Sequence, residues 1–349
     1  MNKLVYIGFA FEHHKGTHAG YHQIKNYLGY DYIIDCQKFI EGVGHSRRNF
    51  FNKARRYILK QIFGGHPEIP WFWLKCIWMA ITKGNLTFHF IYGENLYIES
   101  PLLHVRGCKV VATLHQPYDW FKDKSKWVNR LKKLDHIILV AETEISLFEQ
   151  ISGRKNVSFI AHGISDNYYK PCLDVKQKPI VLTVGNWLRD YEFANKVFRN
   201  IHNECPNADI VVVSLPANKK YIDKDLNVQF FSGISDDELL NLYRETSCLF
   251  LPLKRFTANN ALLEAGSVGC NILIASNNAD NSYIPEKYIK LLPLQVDVVS
   301  KHIIEMINDN HRNIKLSDFV MQNYGWKHIG FLTKKLLLGL SNNSSYSQI

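Results

Sequence analysis

The chain lacks the short motifs that most often mark a phosphate- or dinucleotide-binding fold. No G-x-G-x-x-G follows a strand-like run and no G-x-x-x-x-G-K-[ST] occurs, which argues against a dinucleotide oxidoreductase and a P-loop NTPase. Paired cysteines are also missing. The seven cysteines stand singly, without a C-x-x-C, which excludes a zinc ribbon or a disulfide framework and reads as buried thiols in a reducing compartment. No apolar run is long enough to cross a bilayer: the most apolar stretch, residues 69–82, is interrupted by Lys75 and falls short of the about 20 residues a spanning helix needs. The N-terminus has no signal-peptide h-region or cleavage site, so the chain is expected to be cytoplasmic. Acids are fewer than bases, leaving a net charge of +10.

What is present is ordinary for a globular protein, with 46% apolar and 21% charged residues. At 349 residues the chain exceeds what one core usually serves, and two domains are expected. The surplus positive charge is concentrated: residues 46–63 hold Arg47, Arg48, Lys53, Arg55, Arg56 and Lys60 and no acid. Apolar residues interleave with them at roughly helical spacing. Two readings stand, a solvated helix face or a basic amphipathic segment lying on an anionic membrane surface. Nucleic acid is not expected as a partner, since no nucleic-acid-binding motif accompanies the charge.

Apolar β-rich runs alternate with helical patterns from end to end, predicting an α/β chain of two doubly wound, Rossmann-like domains with a cleft between them. Strands are expected over 4–10, 32–35, 87–92, 110–115, 136–141 and 157–162. After a proline-containing linker at 166–178 they resume at 180–184, 209–214, 228–231, 248–253 and 271–275. The first domain then covers 1–165 and the second 179–316. Helices are expected over 20–28, 125–134, 143–151, 190–202, 235–245, 259–268 and 296–308. A helical segment at 317–340 is expected to return to the first domain, and the polar tail 341–349 to fray. In such folds ligands sit at the carboxyl ends of the strands.

The most informative segment runs from Leu251 through Thr257-Ala-Asn-Asn-Ala-Leu-Leu-Glu264-Ala to Gly269. A buried strand ends, a polar turn follows, and a helix begins with Thr257 or Asn259 as its cap. The unpaired N–H groups around Thr257, Asn259 and Asn260 suit a diphosphate, with Lys254 as a nearby counter-charge. Glu264, further along the helix, can accept from a ribose diol; a capped amphipathic helix with an exposed glutamate is the plain alternative. In Leu182-Thr-Val-Gly-Asn-Trp-Leu-Arg-Asp190, Gly185 allows close backbone approach and Arg189 offers a planar fork of donors.

These segments resemble the family 4 retaining glycosyltransferases of the GT-B fold, in particular the subgroup reading V-G-x-W-L-R-D and T-A-N-N-A-L-L-E-A. The resemblance implies that Glu264 holds the donor ribose and that Gly185, Arg189, Lys254, Thr257, Asn259 and Asn260 bind the donor. It implies a nucleotide-diphosphate sugar as donor substrate, transfer with retention to a glycan or glycolipid, and no metal or other cofactor. Many members carry a glutamate eight positions before Glu264, where this chain has Phe256. That departure keeps open a nucleotide-sugar-binding protein without transferase activity.

Phe159-Ile-Ala-His-Gly163 resembles the family's interdomain I-x-N-G and predicts a tight turn at Gly163, while Gly233-Ile-Ser-Asp-Asp-Glu-Leu-Leu-Asn-Leu-Tyr243 resembles its G-x-V-S-x-E-E-L-x-x-L-Y. In the first half, Thr113-Leu-His115 resembles the strand-end T-L-H whose histidine contacts the transferred sugar. Glu94 occupies a similar strand end. The stretch around Gly16 and Gly20 resembles the family's glycine loop. His14, His18 and His22 fall four apart within it, a metal-like spacing, but the two glycines argue against a continuous helix and no carboxylate joins them. Asp223-Lys-Asp225 is a D-x-D in a polar loop and reads as surface.

Overall fold

The computed structural model describes residues 2–37, 70–255, 258–277, 283–309 and 311–340. The basic segment 46–63, Phe256, Thr257 and the tail 341–349 lie outside the described residues. The described residues fall into two compact units: those within Met1–Gly16, Gly20–Ala161 and Ile329–Ile349, and those within Thr17–Ala19 and His162–His328.

The first unit contains β1 (Lys3–Gly8), α1 (Lys25–Leu28), β2 (Tyr32–Asp35), α2 (Pro70–Thr82), β3 (Leu86–Phe90), α3 (Gly93–Leu96), β4 (Lys109–Leu114), α4 (Tyr118–Phe121), α5 (Ser125–Leu131), β5 (His136–Leu139), α6 (Ile145–Ser152) and β6 (Val157–Phe159). The strands form one parallel sheet in the order β2-β1-β3-β4-β5-β6. Both faces are covered, so β3 and β5 are buried throughout, as parallel sheets require. The one polar ring within β3, His89, is satisfied from both nitrogens, by Tyr30 Oη and Thr113 Oγ1 at 2.7 Å each. Desolvation pushes its pKa down to about 3, so it is neutral and structural.

The second unit repeats the plan with β7 (Lys178–Val184), α7 (Tyr191–Glu204), β8 (Asp209–Val213), β9 (Val228–Phe231), α8 (Asp236–Glu245), β10 (Thr246–Pro252), α9 (Asn260–Val268), β11 (Ile272–Ala275), β12 (Lys290–Leu292), α10 (Val296–Asp309) and α11 (Ile314–Tyr324). Its parallel sheet runs β12-β11-β10-β7-β8-β9. Phe198 of α7, Phe250 of β10 and Val299 and Ile303 of α10 share its core. The final helix, α12 (Trp326–Gly339), belongs from Ile329 onward with the first unit. There a Cβ on Gly330 would meet Tyr27 at 3.2 Å.

In both sheets the strand order reverses beside the strand that opens the unit. The chain leaves β1 for β2 on one side and β3 on the other, and leaves β7 for β8 and then for β10. Loops diverge at such points, and the crevice they leave at the carboxyl ends of the strands is where doubly wound sheets bind ligands.

The expected strands are found, β2 and β9 with the expected ends and the others with shifted ones, and β12 is an addition of three residues that the sequence pattern does not announce. The helix expected over 20–28 is instead a 3-10 turn at Tyr21–Ile24 running into α1, because Gly20 enters at φ 95°. The helix expected over the C-terminal segment breaks at Gly325, which leaves helical geometry at ψ 138°. A Cβ there would lie 2.7 Å from Asp166 Oδ2. Gly163 is required by close approach and not by a left-handed turn: a Cβ would fall 2.2 Å from the ring of Trp326, which is fully buried. Gly163→Ala is therefore expected to cost about 1–3 kcal/mol as overpacking. A urea or thermal melt checks this, and an unchanged midpoint would mean that Trp326 can yield.

Candidate functional site

The crevice at the β7/β10 switch point is built from two exits tied together. Gly185 ends β7 at φ 109° and Leu188 sits at φ 58°, a conformation unfavourable for a branched residue. It is held by backbone bonds to the exit of β10: Lys254 N–H donates to the Leu188 carbonyl (3.0 Å) and Asp190 N–H to the Pro252 carbonyl (2.9 Å). Asp190 then caps α7, accepting from Phe193 N–H at 3.0 Å. Arg189 is the side-chain clasp. Its Nε donates to the Val184 carbonyl (2.9 Å), Nη1 to the Trp187 carbonyl (3.2 Å) and Nη2 to Asn259 Oδ1 (2.9 Å). Although the residue as a whole is only partly buried, desolvation of the guanidinium pushes its pKa down to about 10, which still leaves it charged at neutral pH.

Asn259 is the cap of α9. Its Oδ1 accepts both from Arg189 and from Leu262 N–H at 3.4 Å. Its amide Nδ2 is buried and has no protein partner. A buried donor left unmade costs about 1–3 kcal/mol, so this amide and the free N–H groups of the first helical turn favour an anionic or hydroxyl oxygen. Asn260 follows as the first helical residue. Lys254 stands exposed at the β10 exit.

Glu264 is buried and not exposed, with 4% of its surface accessible, because α9 is enclosed from Ala261 to Val268. Its Oε2 accepts from Tyr243 Oη at 3.0 Å. The Tyr169 hydroxyl also approaches the carboxylate and favours its charged form, although it makes no hydrogen bond of good geometry. Burial dominates, and with Asp236 it pushes the Glu264 pKa up to about 7. Tyr243 and Tyr169 are the residues that motif reading missed. Tyr243 ends the Gly233–Tyr243 motif, but only the fold brings it and Tyr169 to Glu264.

His18, from between the two glycines, groups with this same unit. Its ring stacks on Tyr168 with centroids 3.5 Å apart, and its N–H and Nδ1 meet Asp236 Oδ2 at 2.7 and 3.0 Å. Gly16 and Gly20 flank it in left-handed conformations, φ 71° and 95°. Among the described residues no cluster of three His, Cys, Asp or Glu is placed to hold a metal. The Asp223 and Asp225 carboxylates face solvent and share one partner, Arg199.

In the first unit, His115 and Glu94 come together at the ends of neighbouring strands. His115 N–H donates to Glu94 Oε2 at 3.4 Å, and His115 Nδ1 lies 3.5 Å from Glu94 Oε1. Neither ring nitrogen has a hydrogen-bond partner, although both are buried. The ring is wedged between Tyr21 and Tyr92, at 4.9 and 4.8 Å between centroids. The imidazole is thus held in place by aromatic contacts while its polar atoms remain available.

No protein-family model matches the chain, and no curated protein matches it by sequence. Solved structures do. Anabaena HepE, solved in complex with UDP and with UDP-glucose, superposes with a TM-score of 0.69 at 13% identity, over 97% of this chain and 100% of its own. A glycosyltransferase from Rickettsia africae gives 0.63 at 12% identity, over 98% and 99%. Sucrose-phosphate synthase from Thermosynechococcus elongatus gives 0.62 at 16% identity, over 83% and 80%. The fold is therefore GT-B, with two Rossmann-like units each built on a six-stranded parallel sheet.

Proposed function

We propose that the chain is a glycosyltransferase that takes a sugar from a nucleotide-diphosphate donor and passes it to a glycan or glycolipid acceptor. The observation that carries this reading is the joined set Arg189, Asn259 and Glu264 at the second unit's switch point. It offers a cation, unpaired N–H donors and a buried carboxylate in the order that diphosphate and ribose require. The fold shared with HepE, which was solved with UDP and UDP-glucose, supports it. Glu264 accepts from the ribose hydroxyls. Arg189, Lys254, Asn259 and Asn260 face the diphosphate, where they stabilise the charge that develops as the sugar leaves; the family resemblance adds Thr257 to the donor-binding set. No metal or other cofactor is invoked, since these groups supply the positive potential. The family resemblance gives His115, held by its ring contacts beside Glu94, the role of contacting the transferred sugar. Gly16 and Gly20 let the main chain turn, and the family resemblance makes that turn the glycine loop. Retention of anomeric configuration, a hexosyl group and a role in cell-surface polysaccharide synthesis complete the proposal and rest on the family resemblance, while a cytoplasmic location rests on the single, unbridged cysteines.

A thermal-shift panel of UDP, GDP, ADP and TDP tests the site. One of the four is expected to raise Tm, by about 2.7 kcal/mol of stabilisation at a hundredfold excess over Kd. No shift with any would remove the nucleotide site. Phe256, in the place of the family's glutamate, favours a second reading, nucleotide-sugar binding without transfer. Labelled donor with a membrane extract separates the two, since binding with neither transfer nor hydrolysis selects the second.

A further inference from the structure

Helix α2 is apolar on every side. Phe72, Trp73, Cys76, Ile77, Met79 and Ala80 are buried against the first unit, which leaves an outer row of Trp71, Leu74, Trp78 and Ile81 facing solvent. Trp71 and Trp78 are 67% and 59% exposed, far more than tryptophan normally tolerates in water. The row continues onto the neighbouring turn at Pro101–Leu103, where Leu102 is also exposed. The charged residues of the helix and its C-terminal flank are basic: Lys75 within the row, Lys83 just past the helix, and Arg106, whose Nη1 donates to the Ile81 carbonyl at 2.9 Å; the acid near the row is Glu99, ahead of the Pro101–Leu103 turn. From Pro70 to Gly84 there is no acid.

We infer that this outer face of α2 is an interfacial anchor that beds Trp71, Leu74, Trp78 and Ile81 into the headgroup region of an anionic lipid bilayer. Tryptophan is the residue that favours the membrane–water boundary, with its ring among the chain ends and its N–H toward water. A helix this short lies in the plane of the interface. Charge complementarity selects the lipid: Lys75, Lys83 and Arg106 ring the apolar row, and the preceding residues 46–63 carry six further bases and no acid. A second copy of the chain fits less well. A two-fold helix pair would bring Lys75 toward Lys75 with no acid on the helix to offset it. Among the described residues no helix is long and apolar enough to cross a membrane, so contact of this kind is peripheral. The inference does not depend on the donor site.

The full chain is mixed with vesicles of phosphatidylcholine alone or of phosphatidylcholine with phosphatidylglycerol, and bound protein is measured by co-sedimentation. Wild type is expected to bind the anionic vesicles. The double substitution Trp71→Ser with Trp78→Ser should weaken binding by about tenfold or more, since it removes two large apolar groups from the interface. Its melting temperature should match that of wild type. In wild type itself, brominated phosphatidylglycerol should quench tryptophan fluorescence, which reports insertion without any substitution. The inference is overturned if wild type ignores anionic vesicles or if no quenching occurs. It is also overturned if the double variant binds as tightly as wild type, which would leave the basic segment alone responsible. A wild-type dimer that the substitutions convert to monomer, with vesicle binding unchanged, would assign the face to a second copy instead.

Discussion

Arg189→Ala is expected to lower the transfer rate by about 10²–10³-fold, the usual cost of removing one preorganised group that meets developing charge. It should also lower stability. Three of the guanidinium's N–H groups hold the Val184 and Trp187 carbonyls and Asn259 Oδ1, and hydrogen bonds to a charged group contribute about 1.5–3 kcal/mol. The two effects are linked through the loop. Leu188 stays at φ 58° only while its surroundings over-determine it, and Arg189 is the side chain that joins that loop to the cap of α9. Arg189→Lys separates the roles, because lysine keeps the charge and loses the planar fork. If charge dominates, the lysine variant recovers most of the rate; if positioning dominates, it stays near the alanine variant. An alanine variant with a lowered melting temperature and an unchanged kcat would reduce Arg189 to a structural clasp.

That clasp shows why the second unit was so legible. The V-G-x-W-L-R-D and T-A-N-N-A-L-L-E-A segments follow β7 and β10, which are neighbours in the sheet, so two separate stretches of sequence report on one crevice. His115 and Glu94 are legible as strand-end residues for the same reason. Their contact follows from the parallel register that sets Phe90 beside Ala112, which carries the two loop starts side by side. What escaped reading depends on enclosure. Glu264 looks like a surface residue on a capped helix until α9 is covered on all sides, and its partners Tyr243 and Tyr169 come from elements whose own periodicity says nothing of a carboxylate. The outer row of α2 is hidden differently. In a run apolar at almost every position there is no amphipathic period to read, and only the packed structure divides the residues into those it buries and those it leaves outside.

Affinity for the donor is expected to rise with pH, by about tenfold between pH 6 and pH 8 for a single carboxylate that titrates between them. Glu264 supplies that carboxylate. Its pKa is raised from 4.5 to about 7 by burial, and a ribose diol, which donates two O–H groups, binds the charged form and releases the proton. The intact nucleotide sugar is the better ligand for the measurement, since its phosphates are diesters and do not titrate in this range. Calorimetry in two buffers of different ionisation enthalpy would count the released proton directly. Without ligand the same group opposes folding at neutral pH. Below 4.5 it is protonated in both states; as pH rises toward 7 the unfolded chain ionises first, so stability falls. The span from 4.5 to about 7 corresponds to about 3 kcal/mol. Glu264→Gln removes the titration while keeping the shape and a group that can pair with Tyr243. Relative to wild type, the variant should therefore gain stability as pH rises from 4.5 to 7, bind the donor weakly, and show no pH dependence in what binding remains. Equal affinity for wild type and variant at pH 8 would mean that the ribose is held elsewhere. A wild-type affinity that is flat from pH 6 to pH 8, with the variant still weakened, would mean that Glu264 contacts the donor with its charge already settled.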